Sequence, residues 1–301
     1  MATVIAGAAL LLAACGGAGS GSEAPAPSGE GAPDALKVVA TTTVFADIIR
    51  NVGGDRVSVD SIIPPGVGPE DYEPSPDDAK KLAGAALIVS NGVGLDDFLE
   101  KLITAAGGSS AARLVLGDGI PTIKVDGQDN PHFWLDPNLV STKYLPAITA
   151  RLSALDPAHA STFEANRAAY ASKIDAMDAA NKAMIETIPQ ANRKLVTFHD
   201  AFPYFAAHYG FELVGVILAN VGQEPTAADL ANLVQTVKAA GVRAVFSESQ
   251  FGPKLAQTLA DEAGITNVVT TLFNDTVGPA PYDTYLSMME WNVEQIVKAL
   301  R

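Results

Sequence analysis

One cysteine in 301 residues, Cys15, removes several classes at once. The chain can form no intramolecular disulfide, no thiolate metal cluster and no cysteine-based redox centre in its folded part. Cations are scarce as well. Lys and Arg number 20 against 34 Asp and Glu, a formal charge of -14, and a nucleic-acid backbone as partner is excluded, because such binding rests on cationic contacts. Catalytic signatures are also missing. There is no His-Glu-x-x-His, no Gly-x-Ser-x-Gly and no glycine-rich phosphate loop ending in Lys and Ser or Thr. With only 18% charged and 48% hydrophobic residues, the chain has apolar surface for two modest cores, and its length favours two lobes.

The cysteine has a context. Val4 to Ala14 is an apolar run too short to span a bilayer, and it closes in Leu12-Ala13-Ala14-Cys15. Such an ending resembles a bacterial lipoprotein signal, in which residues 1–14 are a signal peptide and the thiol of Cys15 is lipidated. Residues 15–35 then form a flexible tether, since Gly16 to Pro33 contains only Gly, Ser, Ala, Pro and Glu without periodicity. Such a protein is anchored outside the cytoplasmic membrane rather than spanning it. No Lys or Arg precedes the apolar run, which fits a misplaced start codon or a truncated leader.

From Leu36 onward strands and helices alternate. Lys37 to Thr43 and Val57 to Ile63 read as strands, as does Ala86 to Ser90, with helices expected over Val44 to Val52, Pro76 to Ala83 and Leu95 to Ala106. Val115 and Ile120 to Val125 supply further short strand candidates. Pro157 to Ile188 is rich in alanine, carries apolar residues at helical spacing and has no internal Gly or Pro. One helix of about 30 residues there would reach roughly 45 Å. Beyond it Lys194 to Phe198, Glu212 to Leu218, Arg243 to Ser247 and Asn267 to Thr271 read as strands, separated by helices over Pro203 to Tyr209, Ala227 to Ala240 and Pro253 to Ala263 and followed by one over Tyr282 to Leu300. The expected fold class is α/β: two lobes, each a parallel-type sheet flanked by helices, joined by one long connecting helix. The boundaries are 36–156 for the first lobe, 157–189 for the connecting helix and 190–301 for the second lobe.

Four histidines allow each to be weighed by position. His199 ends an apolar strand, at the carboxyl-terminal edge where open α/β sheets keep ligands. His132 sits in the turn-rich Asn130-Pro-His-Phe-Trp-Leu-Asp-Pro137. His159 and His208 fall within helices, without an acidic residue at helical spacing, and read as surface or packing residues. Among the acids, Glu70 follows a stiff proline- and glycine-rich loop after a strand, and Asp275 follows the strand that ends near Thr271. Glu70 and His132 from the first lobe could meet His199 and Asp275 from the second. Two imidazoles and two carboxylates suit a first-row divalent ion. Around them Asp71, Asp200 and Glu248 are candidates to orient the ligands, with a solvated loop acid as the alternative reading. Asp136 before Pro137 reads as a helix cap rather than as such a partner. Trp134, Tyr72 and Phe251 could wall the cleft or serve packing.

Six motifs in order then carry a family resemblance: Val38-Val-Ala-Thr-Thr-Thr43, Tyr72-Glu-Pro-Ser-Pro76, the Asn130–Pro137 segment, Phe198-His-Asp-Ala-Phe-Pro-Tyr-Phe205, Phe246-Ser-Glu-Ser-Gln-Phe251 and Tyr285-Leu-Ser-Met-Met-Glu-Trp-Asn292. Together they resemble the metal-binding lipoproteins of bacterial zinc and manganese ABC importers, the cluster A-I solute-binding proteins. The resemblance implies a non-enzymatic carrier, one bound Mn2+ or Zn2+ ion, an ABC permease as partner and a monomer. It places ligands at His132, His199 and Asp275. At the first ligand the chain departs from the family, which has Pro-His-x-Tyr-Glu-Pro where this chain reads Pro69-Glu-Asp-Tyr-Glu-Pro74. Glu70 then ligates directly, Asp71 replaces it, or water does. Two nitrogens with two or more oxygens lie closer to the manganese-type members, although the Irving-Williams order favours zinc. A metal-dependent hydrolase and a metal-stabilised adhesin are the rival readings.

Overall fold

The computed structural model describes residues 1, 35–69, 72–105, 110–218 and 225–301. The expected signal peptide, Cys15, the tether up to residue 34, Glu70 and Asp71 lie outside the described residues.

The first half supplies β1 (Leu36–Ala40), α1 (Thr43–Gly53), β2 (Val57–Ser61), α2 (Pro76–Ala83), β3 (Leu87–Ser90), α3 (Phe98–Ala105) and β4 (Ala112–Val115). Strands β2-β1-β3-β4 pair in that order, all parallel. Every residue of β3 is buried, as the covered strands of a parallel sheet require. Local chemistry fixes the helix starts. Thr42 caps α1 by accepting from the Phe45 N–H, and Ser75 with Asp78 forms a reciprocal capping box on α2. The expected helix from Leu95 begins later, at Phe98, because Gly92, Val93 and Gly94 all have positive φ (82°, 56° and 85°). This turn is held by Asp96, whose Oδ2 accepts the N–H groups of Asn91 and Gly92, each at 2.6 Å.

A short hairpin, β5 (Lys124–Val125) and β6 (Gln128–Asp129), leads to the turn carrying His132. Next come α4 (Pro137–Leu139), a π turn at Val140–Tyr144, α5 (Leu145–Leu155) and the long α6 (Ala160–Glu186), preceded by a single 3-10 turn at Pro157–His159. The second half adds β7 (Lys194–His199), α7 (Pro203–Tyr209), β8 (Glu212–Leu218), α8 (Ala227–Ala240), β9 (Ala244–Glu248), α9 (Lys254–Ala263), β10 (Asn267–Leu272) and α10 (Tyr285–Leu300). Parallel pairs β7-β8 and β9-β10 lie side by side through β7 and β9. The architecture is therefore α/β, with parallel sheets flanked by helices and one long helix.

The largest apolar core runs without interruption from β1 and α1 through α5 and α6 to α10. Its centre is Trp134, fully buried, with its ring edge-on to Phe45 at 5.2 Å, its Nε1–H on the Asn274 carbonyl at 2.7 Å, and its own carbonyl accepting from Tyr285 Oη at 2.9 Å. One side chain thus ties the His132 turn to the segment after β10. Further ties cross at the same level. Thr43 Oγ1 accepts the Val277 N–H, and Thr276 Oγ1 accepts the Gly66 N–H, both at 3.0 Å. The loop leading toward residue 69 is thereby pinned beside Asp275.

Candidate metal centre

Carboxyl-terminal strand ends converge on one point. His199 is the last residue of β7, Glu248 the last of β9, and Asn274 and Asp275 follow β10. The first half contributes His132, in the turn after β6. That turn is set by Asn91, which donates Nδ2–H to the Pro131 carbonyl at 2.8 Å and accepts from Tyr144 Oη at 2.5 Å. Asn91 is itself positioned through Asp96, whose carboxyl burial pushes up to about 6, against the lowering effect of the N–H groups it accepts. Gly117 passes so close that a Cβ there would meet the Asn91 carbonyl at 2.7 Å and the Phe133 ring at 2.8 Å. Only glycine leaves the His132 turn its place.

His132, His199 and Asp275 are all buried, and one ligand atom from each lies within 4.8 Å of the others. His132 Nε2 stands 3.5 Å from Asp275 Oδ1, and His199 Nε2 stands 3.8 Å from Asp275 Oδ2. The 3.5 Å separation is about the edge of a tetrahedron of donors at roughly 2.1 Å from one centre, the length of Zn–N and Zn–O bonds, and the longer contact runs to the other oxygen of the same carboxylate. The opposite ring nitrogens face holding groups. His132 Nδ1 lies 3.0 Å from Asn130 Oδ1, and His199 Nδ1 lies 3.2 Å from Glu248 Oε1. Each ring thus has an acceptor behind it and its Nε2 toward the centre, the usual way in which a ligating imidazole is aimed.

Electrostatics point the same way. Asp275 and Glu248 are fully buried, and no Lys or Arg among the described residues forms an ion pair with either. Asp275 Oδ1 and His132 Nε2 are buried without a hydrogen-bond partner among the described residues. Buried carboxylates without a counter-charge, beside an unused ring nitrogen, form a set that fits a cation. Half-buried Asp200 adds to it. Its carboxyl is raised by burial, partly offset by His132 and by the amide of Asn130.

The expected residues separate clearly in space. Glu248 touches His199 directly. Asp200 works one step removed, its carbonyl and Oδ2 accepting from Asn130 Nδ2 at 2.7 and 3.1 Å, while Asn130 holds His132. Trp134 and Phe251 flank the histidines, with ring centroids 5.1 Å from His132 and 5.3 Å from His199. Tyr72 turns elsewhere, to Asp78 and Phe98. Asp136 caps α4 by accepting the Asn138 N–H. His159 and His208 need correction, since both have acidic partners. His159 pairs with Asp156, three residues back, and His208 bridges Asp136 at 2.9 Å and Asp178 at 2.8 Å, neither on its own helix. Asn130 and Gln250 lie inside two of the motifs quoted above without a role assigned to them there, and Asn274 lies in none.

Residues 38–299 match the profile of ZnuA, zinc-uptake complex component A, periplasmic. The chain belongs to this family. It is 31% identical to the manganese-binding lipoprotein MntA of Halalkalibacterium halodurans over 97% of this chain and 95% of that protein. Among solved structures it is similar to the periplasmic zinc binding protein TroA from Treponema pallidum, with a TM-score of 0.80 and 29% identity over 88% of this chain and 99% of that one. The Mn-bound periplasmic metal binding protein from Candidatus Liberibacter asiaticus gives 0.80 and 26% identity, over 88% of this chain and all of the other. Family membership covers both halves of the chain, and so includes every strand end that meets at His199 and Asp275.

Proposed function

We propose that this chain is the extracytoplasmic substrate-binding component of an ABC importer, which captures one divalent transition-metal ion, Mn2+ or Zn2+, and delivers it to a permease. It is a transport component and not an enzyme, and neither the hydrolase nor the adhesin reading finds support in the family or the relatives. The observation that carries the proposal is the buried triad of His132 Nε2, His199 Nε2 and Asp275, whose carboxylate pairs with no Lys or Arg among the described residues. In this reading the two imidazoles and Asp275 ligate the ion, and Glu70 supplies the fourth donor, with Asp71 as its alternative. Support for the Glu70 loop comes from Gly66, which hydrogen-bonds Thr276, the residue after Asp275. Glu248 and Asp200 orient the histidines.

The protein acts outside the cytoplasmic membrane. No helix among the described residues is long and apolar enough to cross a membrane, and the relative from H. halodurans is named a lipoprotein. Anchoring falls to a lipid on Cys15, with residues 15–35 as the tether, and the carrier works as a monomer beside its permease. Residues 36–156 and 190–301 act as the two lobes and 157–189 as their connection. Because ligands come from both lobes, the ion favours the closed arrangement, and release requires the permease to pull the lobes apart. The continuous core through α6 and α10 keeps that motion small.

Thermal unfolding of metal-stripped protein tests this directly. Added Mn2+ or Zn2+ at about 100 times Kd stabilises by roughly 2.7 kcal/mol and raises Tm by about 5–10 °C. No shift with either ion would overturn the reading.

A further inference from the structure

Beside the triad, two carboxamides form a chain whose direction can be deduced. Gln250 Nε2 lies 2.9 Å from Asp275 Oδ2 and 2.9 Å from Asn274 Oδ1, and Asn274 Nδ2 lies 3.1 Å from His199 Nε2. An amide's oxygen and nitrogen are alike in shape, so only the partners fix which way it faces. Asp275 is the fixed point. A carboxylate oxygen accepts, and Gln250 must therefore present its NH2. The second hydrogen of that group falls on Asn274, which must present its oxygen. This leaves the Asn274 NH2 facing His199 Nε2, and a donor there requires a lone pair on the ring nitrogen. The ring hydrogen then sits on Nδ1, where Glu248 Oε1 stands 3.2 Å away. Flipping both amides fails at one contact, because Gln250 Oε1 would face Asp275 Oδ2 at 2.9 Å, acceptor against acceptor. The backbone of Asn274 is anchored meanwhile by Trp134, whose Nε1–H reaches its carbonyl at 2.7 Å.

We propose that Gln250 and Asn274 are positioning residues: they transmit the polarity of Asp275 to His199, hold it in the tautomer with the lone pair on Nε2, and cover that lone pair until an arriving divalent cation displaces the Asn274 amide. The tautomer follows from the hydrogen-bond chain alone, whereas the displacement rests on the metal-site reading above. One lone pair serves one partner, so ligation through Nε2 breaks the Asn274–His199 contact. The link from Asn274 Oδ1 through Gln250 to Asp275 survives, and the amide can close again when the ion leaves. A histidine held in one tautomer is ready for every encounter. Without the relay, only the fraction carrying its hydrogen on Nδ1 is competent, and the apparent affinity falls by that fraction.

Nitrogen NMR of the full, metal-stripped chain with labelled histidine tests the assignment at about pH 8.5, roughly two units above the ordinary imidazole pKa. The expected spectrum shows His199 with a bare Nε2 and a protonated Nδ1. In Gln250→Leu and Asn274→Leu, His199 should become a mixture of tautomers, and Zn2+ affinity should drop about threefold to tenfold, the equivalent of losing one hydrogen bond's bias. Gln250 is only partly buried, so its variant keeps the test available if the Asn274 variant fails to fold. Adding Zn2+ to the wild-type protein should shift the Asn274 side-chain NH2 resonances. A hydrogen on Nε2 in the wild type, or a Gln250→Leu protein that keeps a single Nδ1–H tautomer, would overturn the relay. Zinc binding without any change at the Asn274 amide would overturn the displacement. Failure to bind zinc with the expected tautomer in place would instead remove the metal-site reading and leave the relay standing.

Discussion

Glu248 shows what a single buried acid can do at this centre. It is fully buried at the end of β9, with Oε1 3.2 Å from His199 Nδ1. In the proposed site its carboxylate, 3.2 Å behind the ring, favours a hydrogen on Nδ1 and so leaves Nε2 forward as the donor. Glu248→Gln keeps the shape but loses the charge, and the expected result is metal affinity lower by roughly tenfold to a hundredfold with the fold retained. Competition against a chelating dye measures it, and unchanged affinity would remove Glu248 from the site. At this scale the sequence was legible where position alone spoke. His199 ends an apolar strand, and Asp275 follows one. The amides were not legible. Asn130 reaches His132 and Asp200, and Asn274 reaches His199 across 75 positions of chain, and no local pattern distinguishes such an asparagine from one in a surface turn. Glu70 lies outside the described residues, so its ligand role stands as a proposal, supported by the tie between Gly66 and Thr276.

Elements are held by contacts of the same hidden kind. His208 on α7 bridges Asp136 at the start of α4 and Asp178 on α6, clamping the His132 segment to the long helix. Burial works against its charged form, but hydrogen bonds to Asp136 and Asp178, with their charges, outweigh it and hold the imidazole above its usual range. A raised folded pKa gives stability that is fully present below the unfolded value of about 6.5 and is lost as pH climbs through the folded value. His208→Gln should therefore destabilise the protein more at pH 6 than at pH 9, read by denaturant unfolding at both values. Equal losses would mean that the clamp carries no charge. Asn292 on α10 holds the end of β10 in a second way. Its Oδ1 accepts the Phe273 N–H at 2.9 Å and its Nδ2–H reaches the Phe273 carbonyl at 2.5 Å, just before Asn274 and Asp275. Asn292→Ala orphans both buried backbone groups and should cost about 2–4 kcal/mol, measurable as a lowered Tm. No change would show that the strand end holds itself.

Helix α6 was legible because nothing between Pro157 and Ile188 breaks a helical pattern; only its first turn tightened, where Pro157 opens a 3-10 turn. The late start of α3 was not, since it depends on Asp96 tying back the turn at Gly92. The partners of His208 are hidden for a related reason: its acids approach from other elements, so spacing along its own helix does not reveal them.

For the whole molecule, parallel pairing places the ends of β7, β9 and the segment after β10 on one side, and the turn after β6 brings His132 to meet them. The alternation of strands and helices predicts such an edge. What it could not predict is the seal around Trp134, which joins both halves at the level of His132 and Asp275. A net charge of -14 favours cations near the surface, but two fully buried carboxylates that pair with no Lys or Arg among the described residues are the stronger argument for one inside.

Direct titration of metal-stripped protein with Zn2+ or Mn2+, with X-ray absorption at the bound metal, tests the central claim most sharply. One ion per chain with scattering from two imidazoles is expected, and a His132→Ala/His199→Ala protein should lose at least roughly a hundredfold in affinity. Binding that is unchanged in the double variant, or a bound ion without imidazole scattering, would contradict it.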